Sequence, residues 1–330
     1  MPATRHEVPA VLRPIVEVAG PGVPPLLALI EARLRRAAAP GDGPVDEVAE
    51  RTVAAGGKRL RPLLAILVAG APVDGAPRDA VVRAGVAVEL IHTATLVHDD
   101  VLDAAPLRRG RPTAFHTHGR AAATVVGDRL LAAAFAEIAR GGDPEPAAVL
   151  AEASRALARG ELLQRADAWR ADVDEARYLE RCRLKTGALF AAAARLGALA
   201  GDRDPDAYAR FAEALGVAFQ LFDDVLDVVG PPEVTGKARG TDLLDGTMTL
   251  PFLLARAESA ELAALDPTTI GPADAEGVCD RIAATGAIAA TEDRARELVA
   301  AALAALPADD DVRRADALAL VARGVVDRRL

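Results

Sequence analysis

Apolar residues recur every three to four positions over most of this 330-residue chain, the spacing of helices that turn one face inward. Leu26 to Ala39 is the first such stretch, and beyond a loop at Pro40 to Pro44 the pattern runs almost to the C-terminus. Short clusters of Gly, Pro and Asp punctuate it at Gly70 to Pro77, Ala104 to Thr113, Gly141 to Pro146, Gly201 to Pro205, Gly230 to Gly240 and Leu265 to Pro272. No alternating run of strand length stands out. The pattern predicts an all-α fold, a single-domain bundle of roughly ten or more helices over residues 25–330. Residues 1–24 are Pro-rich and read as a loosely docked N-terminal arm.

Composition sharpens this. Hydrophobic residues make up 51% of the chain but aromatics only 3%, so the core must be built from Ala, Leu and Val, which suits helices. The balance of 39 basic against 48 acidic residues, net −9, argues against a nucleic-acid binder, which needs a clustered basic surface. Cys182 and Cys279 are the only cysteines and have no metal-binding spacing, so a reduced, cytoplasmic setting is expected. Charges and prolines interrupt Met1 to Ala19 where a signal peptide needs an apolar core, and no membrane span is expected.

Two segments carry the same chemical idea: Leu96-Val97-His98-Asp99-Asp100-Val101-Leu102-Asp103 and Gln220-Leu221-Phe222-Asp223-Asp224-Val225-Leu226-Asp227. In a helix, Asp99 aligns with Asp103 and Asp223 with Asp227, and each triplet precedes a helix-breaking segment. Three carboxylates at a helix C-terminus sit against an unfavourable macrodipole and call for positive charge. Magnesium answers, because it takes few carboxylates and completes its shell with water and phosphate oxygens. The pair of triplets thus reads as a clamp for a metal-bound diphosphate. A solvated acidic patch, the reading given to Asp309-Asp310-Asp311, does not fit triplets that interrupt strongly apolar helices.

The cations a diphosphate needs are present. Lys58 and Arg61 fall at i and i+3 after a glycine pair, and Arg108 and Arg109 follow the first triplet. Lys58, Lys185 and Lys237 are the only lysines in an Arg-dominated chain, so each marks a place for a compact point charge. His92 lies two helical turns before Asp99, placed either to donate to phosphate or to serve the core. The dipeptide His98-Asp99 also matches metal-dependent HD phosphohydrolases, a reading that leaves the second triplet unexplained.

Across about residues 25 to 330 the chain resembles the trans-type isoprenyl diphosphate synthases, the polyprenyl synthetase family. The matching segments are GGKRLRP at 56–62, ELIHTATLVHDDVLDAAPLRRGRPT at 89–113, GD at 127–128, GELLQ at 160–164, KTGALF at 185–190, GVAFQLFDDVLDVVG at 216–230 and GKARGTDLLDGTMTLP at 236–251. The resemblance implies a mostly antiparallel helical bundle around a deep central pocket, usually a homodimer, that lengthens an allylic prenyl diphosphate with isopentenyl diphosphate. It implies Asp99, Asp103 and Asp223 as the main magnesium ligands, for three ions with diphosphate bound, with Asp100, Asp224 and Asp227 ligating or supporting. Lys58, Arg61, His92 and Arg109 would hold isopentenyl diphosphate, and Arg108, Lys185, Thr186, Gln220 and Lys237 the allylic partner. By the same resemblance Lys185, Thr186 and Gln220 would carry the catalytic roles, the last two by stabilising the allylic cation.

Two departures stand out: Thr247-Met248 replaces the family's usual lysine before Thr249, and residues 114–119 lack its usual asparagine. Small residues at Ala94 and Thr95, where aromatics accompany short products, point to a medium-to-long product, with geranylgeranyl diphosphate as the alternative. Less favoured are a class I terpene cyclase, which needs no second diphosphate site, and a non-catalytic subunit of a heteromeric synthase.

Overall fold

The computed structural model describes residues 9–38, 44–72, 74–108, 110–231, 238–307 and 311–327. The N-terminal half contains helices α1 (Arg13–Ala19, entered through a 3-10 turn at Ala10–Leu12), α2 (Val23–Ala38), α3 (Pro44–Ala54), α4 (Leu60–Ala69), α5 (Gly75–Leu102), α6 (Ala114–Ala139) and α7 (Pro144–Asp167). There follow α8 (Glu175–Cys182), a π turn at Arg183–Gly187, α9 (Ala188–Ala200), α10 (Pro205–Val229), α11 (Thr241–Leu244), α12 (Leu250–Glu258), α13 (Ala260–Ala264), α14 (Ala275–Ala283), α15 (Ala287–Ala304) and α16 (Val312–Val326). The sheet among the described residues is a small antiparallel ribbon, β1 (Leu107–Arg108) against β2 (Arg111–Pro112), between α5 and α6.

The punctuation in the sequence acts through capping. Asp143, Asp174 and Asp204 accept backbone N–H bonds at the starts of α7, α8 and α10, and Pro144 and Pro205 occupy the first turn, where no N–H is required. Thr113 does the same for α6, its Oγ1 accepting from His116 N at 3.0 Å. Each cap stops one apolar stripe and starts the next, so the helices fold back on one another.

Helix α5 is the centre of the bundle and packs on α2, α4, α6 and α9. It is long and apolar enough to cross a membrane by composition, yet most of it is buried inside the protein. Helix α9 lies against α4, α5, α7 and α10, and so joins the two helices that carry the aspartate triplets. Among the described residues, Tyr178, Phe190, Phe211 and Phe252 are the bulkiest fully buried side chains, in a core made largely of Leu, Val, Ile and Ala.

The described part of the N-terminal arm differs from the loosely docked segment expected. Leu12, Ile15 and Val16 are buried, and α1 packs against the C-terminal helix α16. Pro14 sits in the first turn of α1, where it starts a helix. Proline content was therefore a poor guide to looseness here.

Candidate active site

The six aspartates divide in the same way in both triplets. Asp99, half-buried in the last turn of α5, makes no side-chain hydrogen bond among the described residues. Burial pushes its carboxyl up to about 6, against the pull of the nearby Lys185 ammonium. Asp100 is buried and accepts from Arg108 Nε at 2.7 Å, which ties the ribbon to the helix end. Asp103 caps α5 and is paired with Arg165 of α7.

On α10, Asp223 is exposed and likewise has no hydrogen-bond partner among the described residues. Asp224 is buried, accepting from the Tyr178 hydroxyl at 2.6 Å and from Gln220 Nε2 at 2.8 Å; burial raises its pKa to about 6 despite those bonds. Asp227 accepts from the backbone N of Asp242 at 3.1 Å and so anchors the first turn of α11. In each triplet, then, the first carboxylate is open, the second is an anchor inside the bundle, and the third is engaged at the rim.

The π turn connects the triplets. Lys185 Nζ donates to Glu161 Oε2 at 2.5 Å and to Gln164 Oε1 at 3.2 Å, both on α7. Its neighbour Thr186 donates to Gln220 Oε1 at 2.8 Å, on α10. Arg165 Nε donates to Glu161 Oε1 at 2.9 Å. A polar chain thus runs from Asp103 through Arg165, Glu161 and Lys185, continues from Thr186 through Gln220 to Asp224, and ends at Tyr178. A π turn, which adds a residue to a helical circuit, lets adjacent residues 185 and 186 reach different helices.

Two glycines make this approach possible. A Cβ on Gly160 would lie 2.7 Å from the backbone N of Lys185, and one on Gly216 would lie 2.9 Å from the Cα of Gly187. Any side chain at either position pushes α7 or α10 off the turn. This accounts physically for the glycines in the GELLQ, KTG and GVAFQ segments.

Lys58 and Arg61 do not share a helical face, because α4 begins only at Leu60. Arg59 takes the left-handed conformation at φ 54 and places its buried guanidinium between Glu31 and Glu89, donating to Glu89 Oε1 at 2.6 Å. That anchor holds exposed Lys58 in an irregular turn ahead of the helix. Arg61 stacks over the Phe190 ring at 4.6 Å, its Nε is buried without a hydrogen-bond partner among the described residues, and burial lowers its pKa to about 10. A desolvated guanidinium with a spare donor is suited to an anion.

His92 lies on α5 one turn beyond Glu89, half-buried. His98 faces Asp128, with Nε2 to Oδ1 at 3.1 Å, so the His98-Asp99 dipeptide is not assembled as a joint metal site. Arg109 and Lys237 lie outside the described residues. Met248, next to Thr247 in the segment where the usual lysine is missing, is fully buried, and Arg181 donates to its carbonyl at 2.7 Å. Sequence reading did not single out Arg59, Arg165 or Tyr178. Tyr178 had a usable signal, since it lies one turn before Cys182 and two before Lys185 on a strongly amphipathic helix.

Among the described residues, no three of His, Cys, Asp and Glu converge to form a closed metal site. The donors on hand are carboxylate oxygens, and the half-buried Asp99 lacks a hydrogen-bond partner among the described residues. That suits magnesium, which binds through one or two carboxylates and leaves most of its shell to water and phosphate.

The two aspartate-ended helices are joined through a Lys-Thr π turn, an arrangement of carboxylates and cation suited to a metal-bound diphosphate. The sequence profile of the polyprenyl synthetase family matches residues 43–280, and the chain belongs to that family of prenyltransferases. It is 41% identical over 249 residues to heptaprenyl diphosphate synthase component 2 of Geobacillus stearothermophilus, covering 74% of this chain and 77% of the other. It is 37% identical over 295 residues to octaprenyl diphosphate synthase of Escherichia coli (strain K12), covering 86% and 90% respectively. A crystal structure of a polyprenyl synthase from Caulobacter crescentus CB15, complexed with calcium and isoprenyl diphosphate, matches with a TM-score of 0.82 at 36% identity, covering 98% of this chain and 100% of that one.

Proposed function

We propose that the protein lengthens an allylic prenyl diphosphate with isopentenyl diphosphate and makes a medium-to-long trans-polyprenyl diphosphate. The observation that carries this reading is the polar chain through Lys185 and Thr186, because it sets open carboxylates, a compact cation and a fixed pair of neutral oxygens beside one another. Asp99, Asp103 and Asp223 are the residues to hold magnesium, with three ions once diphosphate is bound. Magnesium, when bound, supplies positive charge to the departing diphosphate.

The chain's own residues do the rest. Lys185 and Arg108 offer charge to the leaving group where negative charge develops. Asp224 accepts from the Gln220 amide N and so turns Gln220 Oε1 toward Thr186. The lone pairs on Thr186 Oγ1 and Gln220 Oε1 then stabilise an allylic cation without reacting with it. Arg61, Lys58 and His92 hold the second diphosphate, Arg109 and Lys237 are assigned to the isopentenyl and allylic sites in turn, and the leaving diphosphate accepts the proton lost after the double bond attacks. Asp100, Asp224 and Asp227 support the ligands from within the helices.

Product length rests on α5. Ala94, Ile91 and Val88 precede Asp99 along the helix and are buried, and the small side chain at Ala94 is the feature that favours a longer product over a short one. A homodimer is proposed with this activity. A second reading, a subunit that works only with another chain, draws support from the words "component 2" in the name of the Geobacillus relative; the presence of all six aspartates weighs against an inert subunit.

One incubation decides among these, using the pure protein, magnesium, farnesyl diphosphate and labelled isopentenyl diphosphate. Label in prenyl diphosphates longer than geranylgeranyl is expected. Label stopping at geranylgeranyl diphosphate supports the shorter synthase, a hydrocarbon formed without isopentenyl diphosphate supports a cyclase, and inertness until a second chain is added supports a subunit.

A further inference from the structure

Four side chains of alternating charge stand in line at the α7 face of the site: Asp103, Arg165, Glu161 and Lys185. Arg165 and Glu161 are one turn apart on α7, and Arg165 bridges Asp103 and Glu161 Oε1. The other Glu161 oxygen takes Lys185 Nζ at 2.5 Å. Each group assigned to a ligand, Asp103 to metal and Lys185 to diphosphate, is therefore already occupied by a residue of α7. We propose that Arg165 is a positioning residue that stands on Asp103 where a metal would stand, and that Glu161 links it to Lys185, so that metal and diphosphate displace the pair together. The inference rests on the prenyl-transfer reading given above.

The coupling follows from the hydrogen-bond inventory. A cation arriving at Asp103 repels the Arg165 guanidinium and drives it off the carboxylate. Arg165 stays tethered to Glu161, and its planar fork can then take both Glu161 oxygens in bidentate fashion. That satisfies Glu161 without Lys185, which is released toward a diphosphate oxygen. The converse also holds, since withdrawal of Lys185 leaves a Glu161 oxygen to draw Arg165 away from Asp103. Each ligand thereby favours the other by the same factor, as linkage requires. Arg165 is 41% and Asp103 32% exposed, so the resting pair is weak enough to be displaced.

Manganese serves as the probe, with its binding read by electron paramagnetic resonance, with and without inorganic pyrophosphate. Arg165→Gln is expected to bind manganese alone about threefold to tenfold more tightly than wild type, and to lose a similar factor from the tightening that pyrophosphate confers. Arg165→Lys, which keeps the charge, is expected to lie nearer wild type. General damage to the fold weakens manganese binding, the opposite direction. Unchanged or weaker manganese binding in Arg165→Gln, or undiminished coupling to pyrophosphate, overturns the inference, and should that variant fail to fold, Arg165→Met, which also removes the charge, is read in the same way with the same two overturning results. Prenyl transfer by the wild-type protein is scored separately, so failure of the functional reading is distinguishable from failure of the role given to Arg165.

Discussion

At the scale of single residues, the site sets stability against function. Asp99 is held with its pKa raised to about 6 by burial, above the usual carboxylate value of about 4, so the folded, metal-free state binds a proton more readily than the unfolded chain. The sign follows: the charge of Asp99 disfavours the fold at pH 7, and this penalty is relieved as pH falls through 6 toward 4. Asp99→Asn should therefore make the metal-free protein more stable at neutral pH, by on the order of 1 kcal/mol once its partial exposure is allowed for, in urea unfolding. The same variant should lose turnover by orders of magnitude even at saturating magnesium. Tyr178→Phe tests the opposite end of the chain. It leaves buried Asp224 one donor short and should cost about 1–3 kcal/mol in stability. It should also lower kcat more than it raises KM for either substrate in steady-state assays, because Asp224 orients Gln220 rather than holding a diphosphate.

At the scale of elements, the helices and their ends were largely legible, because apolar spacing and Asp-Pro caps are local signals. Both triplets were placed correctly at helix ends for the same reason. The π turn was not legible, since its extra residue arises from how α8 and α9 seat between α7 and α10. Nor was the late start of α4, which depends on Glu31 and Glu89, far from Arg59 in sequence, closing around its guanidinium. Helix α5 carries the prediction on product length. A helical turn rises about 5.4 Å, comparable to one extended isoprene unit. Ala94→Phe, one turn before Asp99, should shorten the product seen by chromatography of the dephosphorylated prenols. Because Ala94 is fully packed, the same change should cost about 1–3 kcal/mol of stability. An unchanged product profile would place the floor of the tail path on another helix.

At the scale of the whole molecule, the N-terminal segment closes the bundle on its C-terminal helix. Removal of residues 1–22 deletes Leu12, Ile15 and Val16 from the core and bares the α16 face on which α1 packs. Each such side chain contributes roughly 1.5–3 kcal/mol when buried. The truncated protein should therefore melt roughly 5 °C or more below the full chain in calorimetry. A loosely docked arm would leave the melting temperature unchanged.

What the sequence by itself determined is the helical class, the places where helices stop, and the inventory of carboxylates and cations, because each depends on residues within a few turns of one another. The order of motifs carried the family as well. What only the tertiary structure decided is the use made of each charge: that Asp99 and Asp223 stand open while Asp100 and Asp224 serve as anchors, and that Lys185 and Asp103 are both held by α7. Burial and partnership are set by contacts between helices distant in sequence, and a carboxylate has the same letter whether it meets a tyrosine hydroxyl, an arginine or water.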